Sequence, residues 1–197
     1  MCVFCCAEGS TQHPPALLYL LFLIVDSVVA GDASFFFMTS PGALFVAGDA
    51  ELTSVGHGFL RGCTGLTALD LTPFAHLTSL GNNFLYCCAG LTALDLGPLA
   101  HLTNVGDGFL RGCAGLTALD LTPLAHLSLL HNFLYGCAGL TSLDLTPLAH
   151  LTSVGYYFLG GCTGLTALDL TPLSHLTSVG DWFLADCSRL SALDVTS

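Results

Sequence analysis

"LTNVGDGFLRGCAGLTALDLTPLAH", Leu102 to His126, recurs along the chain with small edits, and its spacing decides the fold. Copies open at Leu52, Leu77, Leu102, Leu127, Leu151 and Leu176, so the period is 25 residues with a single unit of 24. Self-similarity at such a period marks a solenoid, in which one copy buries its apolar face only against its neighbours. Within the first copy Leu66, Leu69 and Leu71 follow L-x-x-L-x-L. In an extended segment that spacing turns Leu69 and Leu71 inward and Asp70 outward, so one parallel strand per coil is expected there. Pro73 cannot donate a ladder hydrogen bond and ends the strand. Positions of the Val55, Leu77 and Phe84 type then return apolar side chains to the interior from the far side of the coil.

The residues Cys63, Leu66, Leu69, Leu71, Leu77, Leu80, Gly81 and Cys88 carry a resemblance. The array resembles leucine-rich repeats, and within them the BspA-like (Treponema-type) class of surface proteins. It departs from them at Phe59-Leu60, where that class has Ala-Phe, at the later Pro73, and in its longer unit. The resemblance implies a leucine-rich-repeat solenoid, α/β or mainly β, with a parallel strand per coil on one face and short helical or irregular segments on the other. It also implies binding and adhesion in general, without naming a ligand.

Three segments are expected. Residues 1–30 hold "ALLYLLFLIVDSVVA" from Ala16 to Ala30, too short to span a bilayer comfortably, which takes about 20 apolar residues. The small-residue exit suits a secretory signal cleaved after Ala30, although no Lys or Arg precedes it; a membrane anchor running on through "SFFFM" or a cytoplasmic start are the alternatives. Residues 31–51 read as an N-terminal cap containing a degenerate half-repeat, with Phe45 at the position of the repeated aspartate. Residues 52–197 are the six repeats. The last copy stops on its strand, so self-association through that C-terminal repeat edge is expected, or a longer array of which this is a segment.

Composition narrows the function. Net charge is −11, mean hydropathy is +0.75, and the three basic residues are Arg61, Arg111 and Arg189, with no lysine. Nucleic-acid binding draws its affinity from Lys and Arg displacing counterions and is excluded as a reading. The cysteines from Cys63 onward form a ladder, odd in number and without a CxxC pair, which signals neither a zinc ribbon nor a closed disulfide framework. Buried thiols behaving as small hydrophobes are expected.

Two further columns repeat. Asp70, Asp95, Asp120, Asp144, Asp169 and Asp194 stack on the strand face, where each like-charge neighbour costs about 1 kcal/mol in water. Raised carboxyl pKa values are expected for the interior members, with a solvated acidic stripe favoured over a calcium track, which would lack an enclosing loop. His76, His101, His126, His150 and His175 sit at a turn, one per coil, and read as side chains bonding the backbone rather than as metal ligands. Because Asp, His and Cys occur in every copy, a catalytic triad can be drawn almost anywhere and carries no meaning. No catalytic residue, cofactor or metal is therefore assigned. Rows of threonine such as Thr67, Thr92 and Thr117 are interrupted by Ala and Asp, which spoils an ice-binding face.

What varies is more informative. Two adjacent positions read His57/Gly58, Asn82/Asn83, Asp107/Gly108, His131/Asn132, Tyr156/Tyr157 and Asp181/Trp182; a third reads Arg61, Tyr86, Arg111, Tyr135, Gly160 and Ala185. Aromatics and Arg anchor interfaces. The candidate contact residues for a protein or glycan partner are accordingly Tyr156, Tyr157, Asp181, Trp182, Arg61 and Arg111, with neutral drift at solvated positions as the alternative. The expected protein is a non-enzymatic binding module, secreted or on the cell surface, or else a self-assembling structural repeat.

Overall fold

The computed structural model describes residues 35–39, 43–47 and 52–194. The expected leader, residues 1–30, lies outside the described residues. In the cap region Phe35–Thr39 (β1) and Ala43–Ala47 (β2) form an antiparallel hairpin.

From Leu52 on, the chain winds as stacked coils, and the leucines, phenylalanines and cysteines of the repeat make one continuous core. Leu69 and Leu71 point inward and Asp70 outward, as the spacing predicts. Six phenylalanines form the spine. Phe59, Phe84, Phe109, Phe133, Phe158 and Phe183 stack with centroids 5.7–5.9 Å apart and ring planes within 15°. The cysteine column lies beside it. Among the described residues all cysteines are free, and each Sγ from Cys88 to Cys187 donates to a leucine carbonyl of the preceding coil at 3.0–3.3 Å. Burial pushes the Cys113 and Cys162 thiols up to about 12, so they stay protonated and unreactive.

The strands are not where the leucine spacing puts them. In the L-x-x-L-x-L segment only Ala167–Asp169 (β7) and Ala192–Asp194 (β9) pair as parallel strands. In earlier coils the matching bonds stretch, with Thr117 N–H to Thr92 O at 3.4 Å and Thr141 N–H to Thr117 O at 3.5 Å. The regular ladder runs instead through "TSV": Ser54–Val55 (β3), Ser79–Leu80 (β4) and Asn104–Val105 (β5) pair in parallel register, and Ser153–Val154 (β6) pairs with Ser178–Val179 (β8). The first five L-x-x-L-x-L runs enter a proline-started 3-10 helix, such as Thr72–Phe74 or Thr122–Leu124, and β7 enters Thr171–Leu173 in the same way. Helix and strand are therefore compatible, and pairing is lost where the bonds between coils lengthen.

The aspartates hold those helices. Oδ1 of Asp70, Asp95, Asp120, Asp144 and Asp169 accepts the backbone N–H two residues on, at 2.8–2.9 Å. For Asp70, Asp120 and Asp144 this corrects the expected upward pKa shift. The Thr72 hydroxyl and then its N–H hold the Asp70 carboxyl below its ordinary range, and Thr122 and Thr146 do the same for Asp120 and Asp144, because donors favour the charged form. Two of the histidines bond the backbone as expected: His150 Nε2 lies 2.7 Å from Leu127 O, and His126 Nε2 pairs with Leu102 O.

The unit of 24 residues is a fault in the stack. The residue it lacks is the glycine that follows the strand at Gly56, Gly81, Gly106, Gly155 and Gly180. Those glycines pack backbone on backbone: a Cβ on Gly106 would lie 2.4 Å from Asn82 N, and one on Gly180 would lie 2.4 Å from Tyr156 N. In the fourth coil the imidazole of His131 fills that gap, directly over Gly155. Ser128 to Leu130 then form no strand, so the ladder stops after β5 and resumes at β6. Leu129, where other coils carry Ser or Asn, stands 51% exposed.

A candidate contact ridge

The segment between strand and cysteine turns on left-handed residues, which non-glycine side chains adopt rarely and bulky ones at a cost. The second variable position is left-handed in every coil: Gly58 (φ +71°), Asn83 (+60°), Gly108 (+76°), Asn132 (+48°), Tyr157 (+56°) and Trp182 (+65°). Gly and Asn are the residues that tolerate this conformation, so four coils carry the expected chemistry. Tyr157 and Trp182 do not.

A size exchange explains how the surface stays continuous. Coils one to four pair a small residue at the second position with a large one three residues later, as in Gly58 with Arg61 or Asn83 with Tyr86. Coils five and six reverse this, with Tyr157 before Gly160 and Trp182 before Ala185. The ridge therefore steps from one column to the other without a gap. The Arg61 guanidinium lies 4.8 Å from the Tyr86 ring, and Arg111 lies between Tyr86 at 5.5 Å and Tyr135 at 4.7 Å. Tyr135 then meets Tyr157 edge-on at 5.1 Å, and Tyr157 stacks on Trp182 at 5.9 Å with planes 7° apart. Gly160 leaves room at the crossing, since a Cβ there would lie 3.0 Å from Tyr135 Cδ2 and push the ring aside.

Beside the ridge runs a polar ladder. His57 Nδ1 accepts Asn82 N–H at 2.9 Å, and Asn82 Oδ1 accepts Asp107 N–H at 3.0 Å. At the fault the pattern breaks: Asp107 takes the Asn132 amide at 2.8 Å, and Tyr156 reaches back two coils to donate its hydroxyl to Asp107 Oδ2 at 2.7 Å. That bond raises the Tyr156 pKa. The Tyr156 ring packs on His131, 4.8 Å away, and His131 Nδ1 is buried without a hydrogen-bond partner. Asn132, buried to 5% exposure, also faces Arg111 at 3.5 Å.

All six candidate residues thus lie on this side of the coils. Arg61, Arg111, Tyr157 and Trp182 belong to the ridge, Tyr156 to the polar ladder beside it, and Asp181 joins through its carbonyl, which accepts Tyr157 N–H at 2.8 Å. Tyr86, Tyr135 and Asp107 complete the surface, with Asn132 buried behind Asp107 and His131 packed on Tyr156. All five stand in the variable columns but were not among the candidates chosen from sequence, and the size exchange between columns was the signal for Tyr86 and Tyr135. Among the described residues no group of His, Cys, Asp or Glu is arranged to hold a metal ion. No described helix is long and apolar enough to cross a membrane.

Comparison with known proteins places the fold. A structure from Bacteroides ovatus described as a leucine-rich repeat protein superposes with a TM-score of 0.52 at 16% identity, covering 86% of this chain and 53% of that one. One from Faecalibacterium prausnitzii, described as a leucine rich cell surface protein, gives 0.51 at 15% identity, covering 85% and 55%. The chain spans about half the length of each. No curated protein sequence matches. The family model for the BspA type leucine rich repeat region matches six copies, over residues 34–146 and 127–197, and the chain belongs to that family.

Proposed function

We propose that the chain is a non-enzymatic binding module, displayed at a cell surface or secreted, that engages a protein or glycan through the ridge from Arg61 to Trp182. The observation that carries this reading is the exposed aromatic end of the ridge: Tyr156 is 41% and Trp182 61% exposed, and Trp182 stacks on Tyr157. Family membership supports a repeat scaffold of the kind commonly used for binding. The surface location rests on the family and on the description of the F. prausnitzii relative.

The test is capture of extracellular-matrix proteins and oligosaccharides by the native chain and by a variant with Tyr156→Ala, Tyr157→Ala and Trp182→Ala. Loss of a captured partner supports the ridge; unchanged capture removes it. Sequencing the mature N-terminus addresses location, since a start at Gly31 supports export and an intact Met1 removes it.

A second reading, self-association, has one observation in its favour. In the last described coil Val179 is 56% and Leu193 49% exposed, whereas their counterparts Val154 and Leu168 are 3% exposed. Sedimentation over a concentration series tests it, and a monomer throughout removes it.

A further inference from the structure

We infer that the corner between Tyr156 and Tyr157, flanked by Trp182, receives a cationic Lys or Arg side chain of a partner protein. The inference rests on reading the ridge as a contact surface and supplies that surface's chemistry.

The chain contains its own template. Along the third variable column Arg and Tyr alternate as Arg61, Tyr86, Arg111 and Tyr135, and each guanidinium lies on a tyrosine ring at 4.7–4.8 Å. The alternation calls next for an arginine at position 160, and glycine stands there. The aromatic half of the ridge continues through Tyr157 and Trp182 without a cation of its own.

The geometry at that point suits one. The Tyr156 and Tyr157 rings meet at 81° with centroids 6.3 Å apart, so they form two walls of a corner. A charge seated between them comes within about 6 Å of both centroids, the range over which a ring quadrupole attracts a cation. The Tyr156 hydroxyl donates to the Asp107 carboxylate at 2.7 Å, which shifts electron density into the ring and makes its face more negative. Exposed Asp181 lies in the next coil, bonded through its carbonyl to Tyr157 N–H. The whole chain adds a field of net charge −11, and a field of one sign steers opposite charges to it. A neutral glycan would gain nothing from that field.

Trp182 is the single tryptophan of the chain and stacks on Tyr157, so it reports on the corner. The experiment titrates the full chain with a peptide of alternating Lys and Gly, and with the same peptide carrying norleucine for Lys, following Trp182 emission at physiological salt. The expected result is a saturable change with the Lys peptide alone. Tyr157→Asn, which installs the residue found at Asn83 and Asn132, should weaken it about three- to fivefold, as loss of an exposed cation–π contact predicts. Replacing Asp70, Asp95 and Asp120 by Asn should change it less than about twofold, because that exposed row contributes only a screened attraction. Tyr156→Phe keeps both rings but cuts the bond to Asp107, and should weaken binding about threefold even if Tyr157→Asn misfolds.

Wild-type binding by folded Tyr157→Asn overturns the inference, and so does wild-type binding by Tyr156→Phe where Tyr157→Asn misfolds. Absence of a saturable change with the Lys peptide also overturns it. If cellohexaose changes Trp182 emission and the Lys peptide does not, the cationic partner is lost while the ridge stands. If neither probe binds and the alanine triple variant captures partners like the native chain, both readings fall.

Discussion

The aspartate column and the ridge are both one-residue-per-coil features, yet they bond in different directions. Each aspartate from Asp70 to Asp169 turns back on its own coil and caps the helix that follows. Each ridge residue reaches a neighbouring coil, as Arg111 does to Tyr86 and Tyr135 and Tyr157 to Trp182, while Tyr156 beside the ridge reaches two coils back to Asp107. A residue that serves its own coil is printed identically in every copy, because every coil has the same need. The buried phenylalanines and cysteines also bond across coils and never change, so a residue whose partner lies in the next coil is free to vary only at the surface, when its partner changes with it. Repetition therefore marks the scaffold, and correlated variation marks the surface.

Four changes break or sharpen that contrast. Phe109→Ala removes a ring stacked on both sides and should cost about 3–5 kcal/mol in urea unfolding, the range for a buried aromatic. A loss under 1 kcal/mol would show that the spine is not shared between coils. Inserting glycine between Leu130 and His131 restores the 25-residue unit and should recover two or so strand hydrogen bonds, worth about 1 kcal/mol each. Hydrogen exchange at Ser128–Leu130 should slow accordingly, and unchanged exchange would mean the missing glycine is not what interrupts the ladder.

Smaller effects belong to the ridge and the aspartates. Tyr157→Asn relieves a left-handed aromatic but loses its stacking, and these offset, so stability should move by less than about 1 kcal/mol while binding falls. A large destabilisation would make Tyr157 a structural residue. The aspartates act through pH. Their folded pKa lies below the unfolded value near 3.9, so their contribution is fully present above that value and is lost as pH falls through the folded pKa. Urea midpoints should drop between pH 5 and pH 2 in the native chain, and drop less when Asp70, Asp120 and Asp144 are Asn; equal slopes would remove the capping role.

The fold was legible because the 25-residue period and the L-x-x-L-x-L spacing state which side chains share an interior. The site of regular strand pairing was not, since a leucine pattern fixes which way side chains face and is silent on whether neighbouring backbones come close enough to pair. The ridge was half legible. Arg61, Arg111, Tyr156, Tyr157, Asp181 and Trp182 stand out as variable, but their partners Tyr86, Tyr135 and Asp107 emerge only once the coils are in register. A further signal lay in Gly58, Asn83, Gly108 and Asn132, small or amide side chains in a column where Tyr157 and Trp182 are the two large aromatics. The aspartate pKa direction was misjudged because mutual repulsion was weighed and the nearby threonine donors were not.

The phenylalanine spine has a geometric corollary. Its rings repeat every 5.7–5.9 Å, whereas parallel strands paired through "TSV" sit about 4.8 Å apart. Coils spaced wider on one side than on the other cannot stack straight. The array therefore bows with the phenylalanine side on the outer arc, and at the fourth coil a single bond of that ladder, Gly155 N–H to Leu130 O at 2.9 Å, still ties the strand side to the next coil.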